Sequence, residues 1–286
     1  MLVEKAIEKA AVLIEALPYI QSFRDKIVVV KLGGSAMTDG KVLHSLVHDV
    51  VFMEQVGMRP LLVHGGGPRI TAAMEAAGLT PRFVDGQRYT DAATLQIAAK
   101  ALIDELSADV VRRINSAGGV GVAMNGRDSG FLQGRKRAGA DLGLVGEVTG
   151  VDRPLAMRLL AGDIIPVVAP IARGDDGALY NVNADLAAAR IAALLGAEKL
   201  VFLSNVPGIL RDLKDPDSLL STVRAPDVRE LISQKVISGG MLPKVQAGLS
   251  SIAAGVAKVH LISGLVPHSL LLEIFTTRGV GTEMVA

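Results

Sequence analysis

Apolar residues recur along this chain in two alternating periods. Val3, Ile7, Ala10, Ala11, Ile14 and Leu17 are spaced as on one helix face, with Glu4, Lys5, Glu8 and Lys9 elsewhere. That spacing predicts a helix over about residues 1–23, which Pro18 breaks or kinks. Ile27–Leu32 then reads Ile-Val-Val-Val-Lys-Leu, a buried strand ending in glycines. Helical spacing returns over 42–56, residues 60–63 form a second strand, and Gly65-Gly66-Gly67-Pro68 opens a helix to about Ala77. Residues 92–116 read as one long helix or two, 120–124 as strand-like, 143–151 as a hairpin with glycines, and 164–168 as a strand. Ala184–Leu195 is an Ala-rich helix, 200–203 a strand and 241–254 a helix, with 259–262 and 271–275 as closing strands. Residues 211–218, charged and carrying Pro216, read as a surface loop. This alternation predicts an α/β fold with a largely parallel sheet.

Composition narrows the class. Half of the 286 residues are apolar and the mean hydropathy is +0.40. No charge-free run approaches the roughly 18–20 residues of a spanning helix. The longest candidates, near 114–126, 245–257 and 259–272, are each interrupted by Gly, Ser, His or Pro. Charges within residues 1–9 argue against a signal peptide, and the expectation is a soluble, cytoplasmic protein. With 30 basic and 29 acidic side chains the net charge is +1, too small to steer nucleic acid or an anionic membrane. The absence of cysteine excludes a disulfide framework, a thiol nucleophile and thiolate-bound metal.

Glycine is placed at strand ends. The clusters are Lys31-Leu32-Gly33-Gly34-Ser35, His64-Gly65-Gly66-Gly67-Pro68, Ser204-Asn205-Val206-Pro207-Gly208 and Ser238-Gly239-Gly240-Met241-Leu242-Pro243-Lys244. In open α/β sheets ligands bind beyond the carboxyl ends of strands, and glycine there lets backbone N–H groups approach an anion. One Gly-Gly after a strand is usually a plain turn; several, two of them with a lysine, favour an anion site. No Gly-x-x-x-x-Gly-Lys-Ser/Thr occurs, and neither Gly119-Val-Gly121 nor Gly279-Val-Gly281 completes a dinucleotide fingerprint. His44 and His48 are spaced i, i+4 without an evident third ligand, so a structural role and no protein metal site are expected; Arg135-Lys136-Arg137 reads as solvated surface.

The first, second and fourth clusters, with Asn181-Val182-Asn183-Ala184-Asp185 and Gly86-Gln87-Arg88-Tyr89-Thr90-Asp91, resemble the amino acid kinase family, and most nearly its N-acetylglutamate-phosphorylating branch. The resemblance runs from about Ile27 to Thr282. It implies a three-layer αβα sandwich with a central, mostly parallel sheet. It implies transfer of the ATP γ-phosphoryl group to the side-chain carboxylate of N-acetyl-L-glutamate, a step of arginine biosynthesis, with Mg2+ held by ATP phosphates and water. It also implies roles. Lys31 and Lys244 flank the transferring group and Asp185 orients them. Gly33, Gly34 and Gly66 donate N–H groups to phosphoryl oxygens. Gly66, Gly67, Arg88 and Asn181 hold the acceptor. Leu203, Ser204, Asn205, Gly208, Gly239, Gly240, Met241 and Lys244 hold the nucleotide.

Residues 1–26 form a helix that either packs on its own domain or serves as an oligomerisation element, and by the same resemblance 27–180 form an acceptor-binding and dimer-forming lobe and 181–286 a nucleotide lobe. The helix and Gly279-Val280-Gly281-Thr282 resemble members that form hexamers from three dimers and are inhibited by L-arginine. Some relatives bind the P-II protein. Three departures stand out: Gln87 and Tyr89 flank Arg88 where apolar residues are usual, residues 124–130 differ from a usual glycine pattern, and Asn205 replaces a common Asp. They leave open a sibling kinase for another acidic acceptor, such as an N-modified aminoadipate. A non-catalytic amino-acid sensor is a third reading, opposed by the intact Lys31, Lys244 and Asp185.

Overall fold

The computed structural model describes residues 2–34, 37, 39–84, 86–276 and 279–286. Met1 and Ser35, read above as part of a helix and of a glycine motif, lie outside the described residues. In chain order the elements are α1 (Leu2–Phe23), β1 (Ile27–Leu32), α2 (Gly40–Gln55), β2 (Arg59–His64), α3 (Gly67–Ala76), β3 (Phe83–Val84) and β4 (Gln87–Arg88). Next, α4 (Ala92–Ala99) runs through a π-helical stretch (Lys100–Ser107) into α5 (Ala108–Ser116). There follow β5 (Gly121–Met124), β6 (Leu132–Lys136), β7 (Val145–Val151), α6 (Arg153–Ala161), β8 (Ile165–Val168), β9 (Ile171–Arg173), β10 (Leu179–Val182) and α7 (Ala184–Leu195). The chain closes with β11 (Lys199–Ser204), β12 (Thr222–Arg224), α8 (Val228–Ser233), α9 (Met241–Ala253), β13 (Lys258–Ser263), α10 (Ser269–Ile274) and β14 (Thr282–Val285).

Eight strands form one sheet in the order β12-β14-β13-β11-β1-β2-β8-β5. Every neighbouring pair is parallel except β13 with β14. A run of six buried residues places β1 at its centre. Its side chains alternate between two apolar layers, as the strand period of two requires. Val28, Val30 and Leu32 pack with residues of α2, α5 and α10, while Ile27 and Val29 pack with residues of α6, α7 and α9. The result is the expected αβα sandwich. It also fixes where Lys31 goes: by alternation it shares the face of Ile27 and Val29, towards α7.

A second, closed four-stranded sheet, β10-β7-β6-β9, sits beside the main one, and β10 leads directly into α7. Of its strands only β7 was legible as part of a hairpin. The helix at α1 continues through Pro18 rather than ending there. Residues 271–275 are not a closing strand. They belong largely to α10, whose buried Ser269, Leu270, Glu273 and Ile274 make one helical face. The closing role falls to β14, antiparallel to β13.

Candidate active site

The site begins with the start of α7. Asn183 caps it: its side-chain oxygen accepts from the N–H groups of Asp185 at 2.9 Å and Leu186 at 3.2 Å. The cap puts Asp185 in the first helical turn, where the dipole favours a carboxylate. Two lysines meet it from different elements. Lys31, at the end of β1, lies 2.7 Å from Oδ1, and Lys244, in the first turns of α9, lies 2.6 Å from Oδ2. The Lys244 contact is an aligned hydrogen bond, whereas Lys31 meets Oδ1 as an ion pair without that alignment. All three side chains are at most 19% exposed, so the charges are strongly felt. Burial pushes the Lys31 ammonium below its ordinary pKa, against the pull of Asp185. Burial would raise the Asp185 carboxyl, but Lys31 and then Lys244 outweigh it and hold the group below its ordinary value.

Beside this triad opens a cleft of about 290 Å³, lined by Lys31, Asp185, Gly34, Gly65, Gly66, Gly67, Arg88 and Asn181 among others. At Gly66 a Cβ would stand 2.5 Å from a Leu102 methyl and 2.7 Å from one of Leu106, so a side chain there would force those leucines to shift. Glycine is required at Gly33, where a Cβ would meet the Leu203 backbone carbonyl oxygen at 2.6 Å. Arg88 comes from the β3–β4 hairpin. It is buried, donates to the Thr71 hydroxyl at 2.7 Å and the Gly67 carbonyl at 3.1 Å, and stacks over the Phe83 ring at 4.8 Å. Thr90 ties it to Asn181: the Thr90 hydroxyl donates to the Arg88 carbonyl and accepts from the Asn181 amide at 3.2 Å. Asp185 is the one carboxylate among the described residues lining the cleft. With Lys31, Lys244 and Arg88 around it, the local balance is cationic, and two anions could be brought together there.

Not every predicted residue lines this cleft. Leu203, Ser204, Asn205 and Gly208 lie at the end of β11 and in the turn beyond it, and Gly239, Gly240 and Met241 lead into α9. The Leu203 side chain is buried in the core, so only its backbone could face a ligand. Gly33 is buried under β11 rather than in the lining. Arg135 and Lys136 are exposed, as expected, but Arg137 turns back and donates to the Gln87 side-chain oxygen at 2.7 Å, at the cleft wall. His44 and His48 face each other on α2 with Nε2 atoms 3.2 Å apart, and no group of three His, Cys, Asp or Glu converges among the described residues. Sequence reasoning passed over Asn183 and Phe83. An Asn two residues before an Asp at a helix start is a cap signal that could have found the first; nothing local marks the second.

Residues 26–263 match the profile of the amino acid kinase family. This chain belongs to that family. Acetylglutamate kinase from Pelotomaculum thermopropionicum is 46% identical over 286 aligned residues, covering 96% of this chain and 97% of that one. Acetylglutamate kinase from Acaryochloris marina is also 46% identical, covering 98% and 99%. Among solved structures, N-acetylglutamate synthase from Neisseria gonorrhoeae, complexed with coenzyme A and N-acetyl-glutamate, superposes with a TM-score of 0.84 at 26% identity. That match covers 97% of this chain and 63% of the synthase, so this chain spans under two thirds of its length. The same synthase complexed with coenzyme A and L-arginine gives 0.82 at 27% identity, covering 96% of this chain and 65% of that one. Carbamate kinase from Giardia lamblia bound to AMP-PNP shares the fold, with a TM-score of 0.65 at 16% identity, over 91% of this chain and 98% of that one. No described helix is long and apolar enough to cross a membrane.

Proposed function

We propose that this amino acid kinase phosphorylates the side-chain carboxylate of N-acetyl-L-glutamate, with MgATP as donor and an acyl phosphate as product. The observation that carries the reading is the pair of lysines sharing one buried carboxylate beside an arginine-containing cleft. A carboxylate with a pKa near 4.3 is ionised at pH 7, so no base is needed. One of its oxygens attacks the γ-phosphorus; that O–P bond forms as the bond to the β,γ-bridging oxygen breaks, and the electron pair leaves with ADP. The protein's task is positioning and charge stabilisation.

In this mechanism Lys31 meets the transferring group from the acceptor side and Lys244 from the nucleotide side. Asp185 keeps both ammonium groups charged and in place. Gly34 and Gly66, which line the cleft, offer N–H groups to phosphoryl oxygens, while Gly33 lets β1 pass close to β11. Arg88 forms a fork for the second carboxylate of the acceptor, and Asn181 with Gly66 and Gly67 holds the rest. Magnesium arrives on the nucleotide, because Asp185 is already committed to two lysines. Residues 27–180 serve the acceptor and a dimer contact; 181–286 serve the nucleotide through the Leu203–Gly208 and Gly239–Lys244 segments.

Regulation belongs to the same reading. Val12, Leu13 and Ile14 are each more than 60% exposed on α1, an apolar surface suited to joining dimers into a hexamer. A second cleft, of about 650 Å³, lies between Tyr19 and Phe23 of α1 and a mixed-charge wall of Lys199, Lys258, Glu273 and Glu283. Both signs of charge suit a zwitterionic, cationic effector such as L-arginine. The deciding experiment offers MgATP and a panel of acidic acceptors and traps the product with hydroxylamine as a hydroxamate. Turnover of N-acetyl-L-glutamate above N-acetyl-aminoadipate and glutamate is expected. Preference for the aminoadipate would move the chain to the sibling activity, and no turnover would leave the sensor reading.

A further inference from the structure

His64 ends β2 and is fully buried, with both ring nitrogens engaged. Nδ1 lies 3.1 Å from the Gly65 carbonyl oxygen, and Nε2 lies 2.7 Å from the Ser107 hydroxyl. A carbonyl can only accept, so Nδ1 carries the proton and Nε2 accepts the hydroxyl proton of Ser107. Burial lowers the ring's pKa to about 4, which keeps it neutral near pH 7, and the two hydrogen bonds then fix the tautomer. Ser107 is itself fully buried, at the end of the π-helical stretch.

The consequence lies in the next peptide. In a trans peptide the C=O and N–H point in opposite directions. A Gly65 carbonyl turned inwards to His64 therefore turns the Gly66 N–H outwards, and Gly65 and Gly66 both line the cleft. The neighbouring groups are already used: the Gly65 N–H donates to the Leu32 carbonyl at 3.0 Å, and the Gly66 carbonyl accepts from Ile70 at 2.9 Å. Among the described residues the Gly66 N–H meets no acceptor. We infer that His64, locked by Ser107, is a positioning residue: it orients the Gly65–Gly66 peptide so that the Gly66 N–H faces the transferring phosphoryl group. The inference rests on the kinase reading above.

Two substitutions separate this role from simple space filling. An Asn amide nitrogen falls near the place of Nδ1, and a Gln amide nitrogen near that of Nε2. His64→Asn keeps the donor to Gly65; His64→Gln keeps only the contact with Ser107. The measurements are kcat and KM for N-acetyl-L-glutamate and MgATP, with melting temperatures to verify folding. Loss of one aimed N–H donor costs about 100-fold or more in kcat, so a partly released peptide predicts a kcat loss of at least about 10-fold in His64→Gln, with KM values within about threefold. His64→Asn should stay within about threefold of wild type in kcat, because the donor is kept. Ser107→Ala, which removes the hydroxyl that holds Nε2 and so loosens the ring, should fall between them, and it decides the matter if neither His64 variant folds: an unchanged kcat overturns the inference. Equal kcat for Asn and Gln overturns it as well. Wild-type protein that fails to phosphorylate N-acetyl-L-glutamate overturns the kinase reading, and this inference with it.

Discussion

Replacing Asp185 by Asn keeps the shape of the side chain and removes its charge. Lys31 and Lys244 then share a pocket without an anion, with the Lys31 side chain only 7% exposed. Removing one partner of a buried ion pair costs about 3–5 kcal/mol. Two escapes hold the figure to the lower end. Lys244, at 19% exposure, can turn towards water. Lys31, whose pKa burial already lowers, can shed its proton at about 1.4 kcal/mol per pH unit. A loss near 3 kcal/mol corresponds to about 6–12 °C in Tm for a chain of roughly this size. Thermal denaturation at pH 7 of wild type, Asp185→Asn, Lys31→Met and the double variant gives the comparison. The double variant removes the orphaned charge, so it should be more stable than Asp185→Asn alone by about 1 kcal/mol or more. The pH dependence has a fixed sign. The folded Asp185 pKa is depressed, so its stabilisation is present above the unfolded value near 4 and is lost as pH falls through the folded one. Asp185→Asn should lack that acid-side loss. An Asp185→Asn protein that melts with the wild type, in a cycle without coupling, would refute the buried triad.

Lys31→Ala should lower kcat by about 100-fold or more while acceptor KM changes little, since the lysine acts on charge that develops in transfer; steady-state kinetics with a small kcat effect would contradict its role. Because burial pushes the Lys31 pKa below 10.5, turnover should fall on the alkaline side at a lower pH than a solvated lysine allows, as a kcat–pH profile would record. Gly66→Ala forces a methyl against Leu102 and Leu106, with no backbone strain at φ −171°, and should cost about 1–3 kcal/mol together with activity. Deleting residues 1–21 should reduce the assembly to dimers by light scattering, and an unchanged mass would remove α1 from the oligomer contact.

The parts of this fold that could be read in advance are those with a strong local period. The β1 run Ile-Val-Val-Val-Lys-Leu and the Ala-rich α7 appear with the bounds their patterns suggest, and the strand period alone puts Lys31 on the α7 face. The Leu271-Leu272-Glu273-Ile274-Phe275 run was misread because a short apolar stretch carries no period of its own. Packing against α2 made it a helix. Strands β6, β9 and β10 escaped because they are three to five residues long and are held by one another in a closed sheet. The meeting of Lys31, Asp185 and Lys244 is a fact of topology: three distant residues reach one point because α7 and α9 pack on the face of β1 that carries Lys31. Local pattern marked the two lysines beside strand-end glycines, but only the family resemblance joined them to Asp185. The return of Arg137 to Gln87 was hidden for the same reason, since a basic run looks solvated until the loop's path is known.

The central claim is that an acceptor carboxylate oxygen attacks phosphorus directly between Lys31 and Lys244. Its most direct test is 31P NMR of the wild-type protein with MgATP and N-acetyl-L-glutamate labelled with 18O in the side-chain carboxylate. The account predicts an acyl phosphate resonance, shifted by the 18O retained in the carbon–oxygen–phosphorus bridge and appearing with ADP. Inorganic phosphate alone, or an acyl phosphate whose bridge carries no label, would contradict it.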